Sequence, residues 1–210
     1  MNKLLNFFVL IFAVTLTGCP SGSTEVPSIP DYIAGMPTHS YYERLAYETS
    51  EMAPEGAIPS DPAEALAEAE RLIEERRIRI LPKAEGMEAW GKFTTTFPRK
   101  IYVATYFDEL ETPYQAVILW HELVHVRQYD LHTPKYMGLL YLVPEGRWAL
   151  EVQAYRESFR VMRLLGMSDD AIKKQMLPTA EVLYKQYELG SMPQGYAINK
   201  AVEIWMIDFE

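Results

Sequence analysis

The chain has 210 residues, of which 49% are hydrophobic and 23% charged, a balance that suits one domain with a sizeable core. It carries 29 acidic and 20 basic side chains, a formal net charge of −9, which argues against binding to nucleic acid or to anionic lipid by charge attraction. Its one cysteine excludes an internal disulfide, so any metal site in the domain must use histidine and carboxylate ligands.

The first residues predict an export signal. Lys3 precedes a mostly apolar run from Leu4 to Leu16, which is too short to remain as a membrane-spanning helix and is typical of a removed signal peptide. Its end, Leu16-Thr17-Gly18-Cys19, resembles the bacterial lipobox. The resemblance implies that Cys19 is lipidated and becomes the first mature residue, anchoring the protein to a membrane of the cell envelope and facing the periplasm. The other interpretation is an ordinary signal peptide that contains a cysteine.

Cleavage before Cys19 would leave 192 residues, and because only Lys3 is lost, 19 basic and 29 acidic side chains give a net charge of −10. We predict a signal peptide at residues 1–18, a flexible tether at 19–30 that is rich in Pro, Ser and Gly, and a single domain at 31–210.

The first half of the domain is predicted to contain helix and strand. Residues 31–60 favour irregular structure with a short helix near Tyr41 to Thr49, and His39 there is expected at the surface. Asp61-Pro62-Ala63-Glu64 predicts the start of a helix that runs to about Arg76. Strands are then predicted around Ile78 to Ile80, within Lys92 to Phe97, and most strongly at Lys100 to Tyr106.

The next segment carries the motif His121-Glu122-Leu123-Val124-His125. Thr112 is predicted as the N-cap of its helix, with Pro113 at the first position and Gln115 completing a capping box. Histidines four residues apart on a helix share one face, so their ring nitrogens can converge on one ion, with a glutamate placed to act on water. The alternative is two core histidines satisfied by neighbours, although polar groups in a helix this apolar are costly to bury without a purpose.

The second half is predicted to be helical. A tyrosine-rich connection from Asp130 to Val143 leads to a long helix, Arg147 to Leu165, which Gly166 ends. Ser168 begins another helix that Pro178 divides, and a last helix covers roughly Tyr196 to Trp205. The order of elements predicts an α+β fold with a small sheet and a helical C-terminal half.

A catalytic zinc ion commonly has three protein ligands, so the long helix should supply the third. Of Glu145, Glu151 and Glu157, only Glu151 is expected on the inward face, where a carboxylate would otherwise be a buried charge. The alternative role for Glu151 is a buried hydrogen-bonding glutamate. His132 falls one residue away from the spacing of a three-histidine site and lacks that site's glycine turn.

With these residues, the chain from Lys100 to about Leu165 resembles the gluzincin group of zinc metallopeptidases. Glu151-Val152-Gln153-Ala154-Tyr155 is similar to the family's E-x-x-A-D segment, with Tyr155 where the family has an aspartate that orients a zinc histidine. The resemblance implies a zincin-like α+β fold whose mostly antiparallel small sheet packs on the active-site helix. In that family the strand before the helix is commonly an edge that pairs with substrate, whereas Ile101 to Thr105 can equally be an inner strand.

The resemblance also implies a mechanism. Zn²⁺ bound by His121, His125 and Glu151 would activate a water molecule, and Glu122 would take its proton and later protonate the leaving amine of a protein or peptide substrate. The candidates for an oxyanion donor are Tyr136, Tyr141, Arg147 and His132.

Two other functions compete with the peptidase. One is a zincin-like lipoprotein that serves as a binding or scaffolding module, and the retained Glu122 argues against it. The other is a periplasmic metal carrier, for which the remaining histidines, His39 and His132, are too few. The C-terminal segment, through Asp208 or Glu210, is a candidate inhibitor of the site, although an apolar C-terminus more often completes a core.

Overall fold

The computed structural model describes residues 38–47, 58–82, 95–97, 100–132, 134–187, 189 and 192–209. The predicted signal peptide, Cys19 and the tether lie outside these residues and stay predictions. Within the described part of the chain, no helix has both the length and the apolar character needed to cross a bilayer.

Helices dominate the described residues, and three short strands lie between the second and third helices. The helices are α1 (Thr38–Tyr47), α2 (Pro62–Glu75), α3 (Thr112–Leu131), α4 (Pro134–Leu142), α5 (Pro144–Leu164), α6 (Asp169–Tyr187) and α7 (Gln194–Met206). The strands are β1 (Arg79–Pro82), β2 (Thr95–Phe97) and β3 (Lys100–Val103), and short 3₁₀ turns cover Phe107–Glu109 and Ile207–Phe209. A small sheet followed by a helical half agrees with the predicted fold class.

The sheet has the order β1-β3-β2, so the strand before α3 is central among the described strands. β3 pairs with β1 in parallel, with Ile80 opposite Ile101, and with β2 antiparallel, with Thr96 opposite Ile101. A mostly antiparallel sheet is therefore not confirmed. The expectation of an edge strand at Ile101 is wrong and the inner-strand alternative is right, because both sides of β3 already have hydrogen-bonded neighbours.

The predicted start of α2 is confirmed. The Asp61 carboxylate accepts hydrogen bonds from the main-chain N–H groups of Ala63 (2.9 Å) and Glu64 (3.0 Å), which have no partner inside the helix. The predicted cap of α3 is wrong by one residue. Glu111 is its N-cap without a side-chain bond, and the Gln115 amide instead donates to the Phe107 carbonyl at 3.0 Å.

Two predictions in the helical half fail. The connection from Asp130 to Val143 contains α4, whose Met137 and Leu140 are buried in the core. α6 continues through Pro178, because one stripe of buried side chains runs along both sides of the proline: Ile172, Met176, Ala180, Leu183 and Tyr187. The predicted end of α5 is confirmed, since Gly166 has φ of 88°, a conformation that glycine adopts readily.

α3 is the central helix of the core and packs against both α2 and α5. Its Trp120 is fully buried and donates from Nε1 to the Ala65 carbonyl of α2 at 3.0 Å. The fully buried Trp205 of α7 donates to the Val152 carbonyl of α5 at 2.8 Å. The direct packing of α3 against α5 determines where the motif residues meet.

Candidate metal centre

The two motif histidines of α3 and Glu151 of α5 come together where these helices pack. The Nε2 atoms of His121 and His125 are 3.3 Å apart. The Glu151 carboxylate faces both, with its oxygens 3.4 Å from the His121 Nε2 atom and 3.6 Å from the His125 Nε2 atom. Within the described residues this is a group that can hold a metal ion, as the sequence predicts.

The other ring nitrogen of His121 contacts a serine that the sequence analysis did not identify. The Nδ1 atom lies 3.0 Å from the Ser158 hydroxyl, and that hydroxyl donates to the Ala154 carbonyl at 3.2 Å. Because the hydroxyl has only one hydrogen, its oxygen must accept from His121 Nδ1–H. Neutral His121 therefore has its lone pair on Nε2, directed at the site.

Tyr155 stands where the gluzincins have an aspartate that orients a zinc histidine, and its ring packs edge-on against the His121 ring, with centroids 5.0 Å apart. Ser158, which contacts His121 Nδ1, lies seven residues after Glu151 and so two turns along the same face of α5. That spacing is the signal from which Ser158 could have been found.

His125 is oriented in the same way by a glutamine on its own helix. Its Nδ1 atom is 2.8 Å from Oε1 of Gln128, and the side-chain amide of Gln128 donates to the Leu150 carbonyl at 3.0 Å. The amide oxygen accepts from Nδ1–H, which leaves the Nε2 lone pair of neutral His125 directed at the site. Both histidines thus present the atom that binds metals, and their other nitrogen is held by an acceptor, as in known metal sites.

The charges of the cluster attract one another strongly. Burial alone would lower the pKa of His125, but the charge of Glu151 and the hydrogen bond to it outweigh burial and raise that pKa to about 9. Burial would raise the pKa of Glu151, yet the nearby His125 and the hydrogen bonds to both histidines hold it well below its usual range. An anionic carboxylate therefore faces two ring nitrogens in a buried site, an arrangement that favours a cation between them.

Glu122 lies within the same buried region. Its side chain is 4% exposed, and its charge contributes to the raised pKa of His125, of Tyr141 and of Tyr155. For the two tyrosines burial is the larger cause and the charge of Glu151 acts in the same direction. The carboxylate predicted to act on water is thus within electrostatic range of the cluster.

A tyrosine of α6 completes this part of the site and was missed from the sequence. Burial, followed by the charge of Glu151, raises the pKa of Tyr187 well above its usual value. The guanidinium of Arg147 lies over the Tyr187 ring, 5.5 Å from its centroid, and donates to the Tyr141 carbonyl at 2.8 Å. No pattern in the sequence indicated Tyr187, because its contact with α5 is made across the fold.

The remaining tyrosine and histidine candidates lie at the junction of α3 and α4. Tyr141 stacks on Tyr129 with ring centroids 6.0 Å apart. His132 follows the last turn of α3, and its ring packs against Tyr136 at 5.0 Å. His132 does not belong to the metal-binding group of the described residues, in agreement with its rejection as third ligand.

Glu151 is the residue beside the histidines, but the prediction that Glu145 and Glu157 lie off the inward face of α5 is wrong. Glu145 and Glu157 are each only 6% exposed, so α5 buries nearly all of its faces. Glu157 is neutralised by Arg160, whose Nη2 atom lies 2.7 Å from the carboxylate.

The C-terminal segment does not supply an inhibitor through Asp208. The Asp208 carboxylate accepts two hydrogen bonds from Arg156 of α5, of 2.6 and 2.7 Å. Glu210 and the side chain of His39 lie outside the described residues.

No protein-family model, curated protein or solved structure matches the chain, so the account of its function depends on the geometry of these residues.

Proposed function

We propose that the protein is a zinc-dependent peptidase of the gluzincin type, with His121, His125 and Glu151 as metal ligands and Glu122 as general base. The observation that carries the proposal is the convergence of two Nε2 atoms and one carboxylate, with each Nδ1 atom held by an acceptor. We also propose a zincin-like fold, in which a small sheet is followed by the active-site helix and then by a helix that carries the glutamate ligand.

The spacing of the ligand atoms supports zinc. Tetrahedral ligands about 2.1 Å from an ion lie about 3.4 Å from one another. The three separations in the cluster are 3.3, 3.4 and 3.6 Å. Two imidazoles and one carboxylate are also a common ligand set of catalytic zinc, which keeps a fourth position for water or substrate.

In this proposal the metal supplies Lewis acidity, which makes water a nucleophile near neutral pH and polarises the scissile carbonyl. The Glu122 carboxylate accepts a proton from the attacking water and delivers it to the amine that leaves. Of the four predicted candidates we propose Tyr141 as the donor to the oxyanion, because the charges of Glu151 and Glu122 act on its hydroxyl in addition to burial. Arg147 provides positive charge on the same side of α5, one turn before Glu151.

The substrate and the location remain proposals that derive from the sequence. Hydrolysis of a protein or peptide follows from the gluzincin resemblance, and lipidation of Cys19 would hold the enzyme at a membrane of the bacterial cell envelope. The strongly acidic balance of the chain, with 29 acidic and 20 basic side chains, supports a partner other than nucleic acid.

One observation favours a second candidate, a binding module in which the metal has a structural role. His121 and His125 are 3% and 5% exposed, so the two histidine ligands are largely closed off from solvent, as in structural metal sites, whereas 20% of the Glu151 side chain is exposed. A structural site, however, commonly has a fourth protein ligand and no need for a buried carboxylate at Glu122.

A peptide library distinguishes the two candidates. Zinc-loaded full-length protein should cleave members of the library, as detected by mass spectrometry of the products. A chelator should abolish cleavage and added zinc should restore it. Zinc binding at one ion per chain with no cleavage of any peptide would favour the binding module.

A further inference from the structure

A chain of buried hydrogen bonds connects the metal ligand His125 to the first helix, α1. From His125 Nδ1 it passes to Oε1 of Gln128 at 2.8 Å, and from Nε2 of Gln128 to Oε1 of Gln153 at 2.7 Å. Nε2 of Gln153 then donates to the main-chain carbonyl of Leu45 in α1. The side chains of α3 and α5 in this chain are almost fully inaccessible, with Gln128 0% and Gln153 1% exposed.

The direction of every bond in this chain follows from its end. A main-chain carbonyl only accepts, so Gln153 must turn its NH₂ group toward Leu45 and its oxygen toward Gln128. Gln128 must then donate to Gln153, and its second N–H donates to the Leu150 carbonyl at 3.0 Å. A reversed Gln128 amide would place its oxygen against two other acceptors. Two main-chain carbonyls thus fix which atom of Gln128 faces His125.

We propose that Gln128 and Gln153 are positioning residues that relay the Leu45 carbonyl of α1 to the metal ligand His125, so that docking of α1 completes the metal site. The proposal rests on the proposed metal site but not on peptidase activity. Its consequence is that His125 keeps its hydrogen on Nδ1 and its ring in one orientation, with Nε2 facing His121 and Glu151.

α1 is held in place by contacts that do not involve the relay. It packs against α5, and the Tyr47 hydroxyl donates to Glu203 of α7 at 2.6 Å. A hydrogen bond from Tyr196 of α7 to Glu43 forms a second link. α1 can therefore keep its position when the relay is broken, which makes the relay testable by substitution.

The test compares Gln153→Met with Gln175→Met in the full-length protein. Methionine is close to glutamine in size but neither donates to Leu45 nor accepts from Gln128. Gln175 is a partly buried glutamine of α6 whose amide donates to the Met167 sulfur at 3.6 Å, so its replacement removes an amide that touches no metal ligand. Zinc affinity is measured by competition with a chromophoric chelator, and thermal unfolding is measured in parallel.

We expect Gln153→Met to weaken zinc binding about 10- to 100-fold, the usual effect of removing a partner of a metal-ligating histidine. Gln175→Met should change zinc affinity less than about twofold, because a loss of affinity is expected only when a residue of the relay is replaced. A Gln153→Met protein that is less stable but binds zinc like the wild type would overturn the proposal, because Gln153 would then be only structural.

A second measurement needs no substitution and covers the outcome in which Gln153→Met does not fold. Nitrogen-15 spectra of the zinc-loaded wild type should show the hydrogen of His125 on Nδ1 and protected from exchange with water. In a folded Gln153→Met protein that protection should fall, while His121 Nδ1–H, which Ser158 holds, should stay protected and serves as an internal control. A His125 hydrogen on Nε2 in the zinc-loaded wild type would overturn the proposal.

These results separate the relay from the function. A protein that shows the predicted zinc affinities and spectra but cleaves no peptide fails as a peptidase and retains the relay. A protein that cleaves peptides but binds zinc equally with and without Gln153 retains the function and loses the relay.

Discussion

Raising the pH should destabilise the metal-free protein, because folded His125 holds its proton more tightly than unfolded His125. Burial alone would lower the pKa of His125, but the charge of Glu151 and the hydrogen bond to it raise that pKa from 6.5 to about 9. Because folding raises the pKa of His125, its contribution to stability is complete below the pKa of the unfolded state. That contribution is lost as the pH rises through the pKa of the folded state.

The size of the effect follows from that shift. Between 6.5 and about 9, at about 1.4 kcal/mol per pKa unit, the free energy of unfolding should fall by at most about 3 kcal/mol. The lowered pKa of Glu151 describes the same attraction from the other partner and is not added. The tyrosines nearby have pKa values raised above their ordinary range, so they stay neutral over this interval.

The pH dependence of the free energy of unfolding is measured by urea unfolding of chelator-treated protein. Unfolding is followed by tryptophan fluorescence between about pH 6 and about pH 9. Glu151→Gln is the matched variant, because it removes the charge that raises the His125 pKa and keeps the size of the side chain. The variant should show a much flatter curve than the wild type. Equal pH dependence in the two proteins would refute the assigned origin of the shift.

Two further predictions concern the helix contacts that position the site. Gly146→Ala should cost roughly 1–3 kcal/mol in urea unfolding, because a Cβ there would overlap the main chain of Leu140 where α4 meets α5. A Cβ at Gly138 in α4 meets open space, so Gly138→Ala should be neutral or stabilising by up to about 1 kcal/mol. Equal losses of stability in the two variants would contradict the close approach of Gly146 to Leu140. Ser158→Ala removes the acceptor of His121 Nδ1–H and should weaken zinc binding about tenfold in chelator competition, whereas unchanged affinity would show that the contact does not orient His121.

The sequence predicted the features that depend on spacing within one helix. His121 and His125 meet because they are one turn apart, and the Asp61 cap forms because its partners are the next few residues. Glu151 is the neighbour of the histidines, as predicted, but the expectation that Glu145 and Glu157 are not on an inward face is wrong. α5 buries glutamates on several faces, and one of them, Glu157, is neutralised by its own arginine.

The features that the sequence did not predict depend on contacts between distant segments. β3 is central because β1 and β2 pair on either side of it, and no local pattern specifies those partners. Ser158, Gln153 and Tyr187 acquire their roles only when α5 packs against α3, α1 and α6. α6 continues through Pro178 because its stripe of buried side chains extends on both sides of the proline, which outweighs the usual helix-breaking effect of proline.

Glu122 is proposed to act on water at a metal ion held by His121, His125 and Glu151. The most direct test measures zinc content and peptide cleavage together in the wild type, in Glu122→Gln and in Glu111→Gln, an exposed carboxylate at the start of the same helix. We expect about one zinc ion per chain in all three proteins. We also expect cleavage by the wild type and Glu111→Gln, and a loss of at least about a hundredfold in Glu122→Gln. Cleavage that persists in Glu122→Gln, or a wild type that binds no zinc, would contradict the proposed role of Glu122.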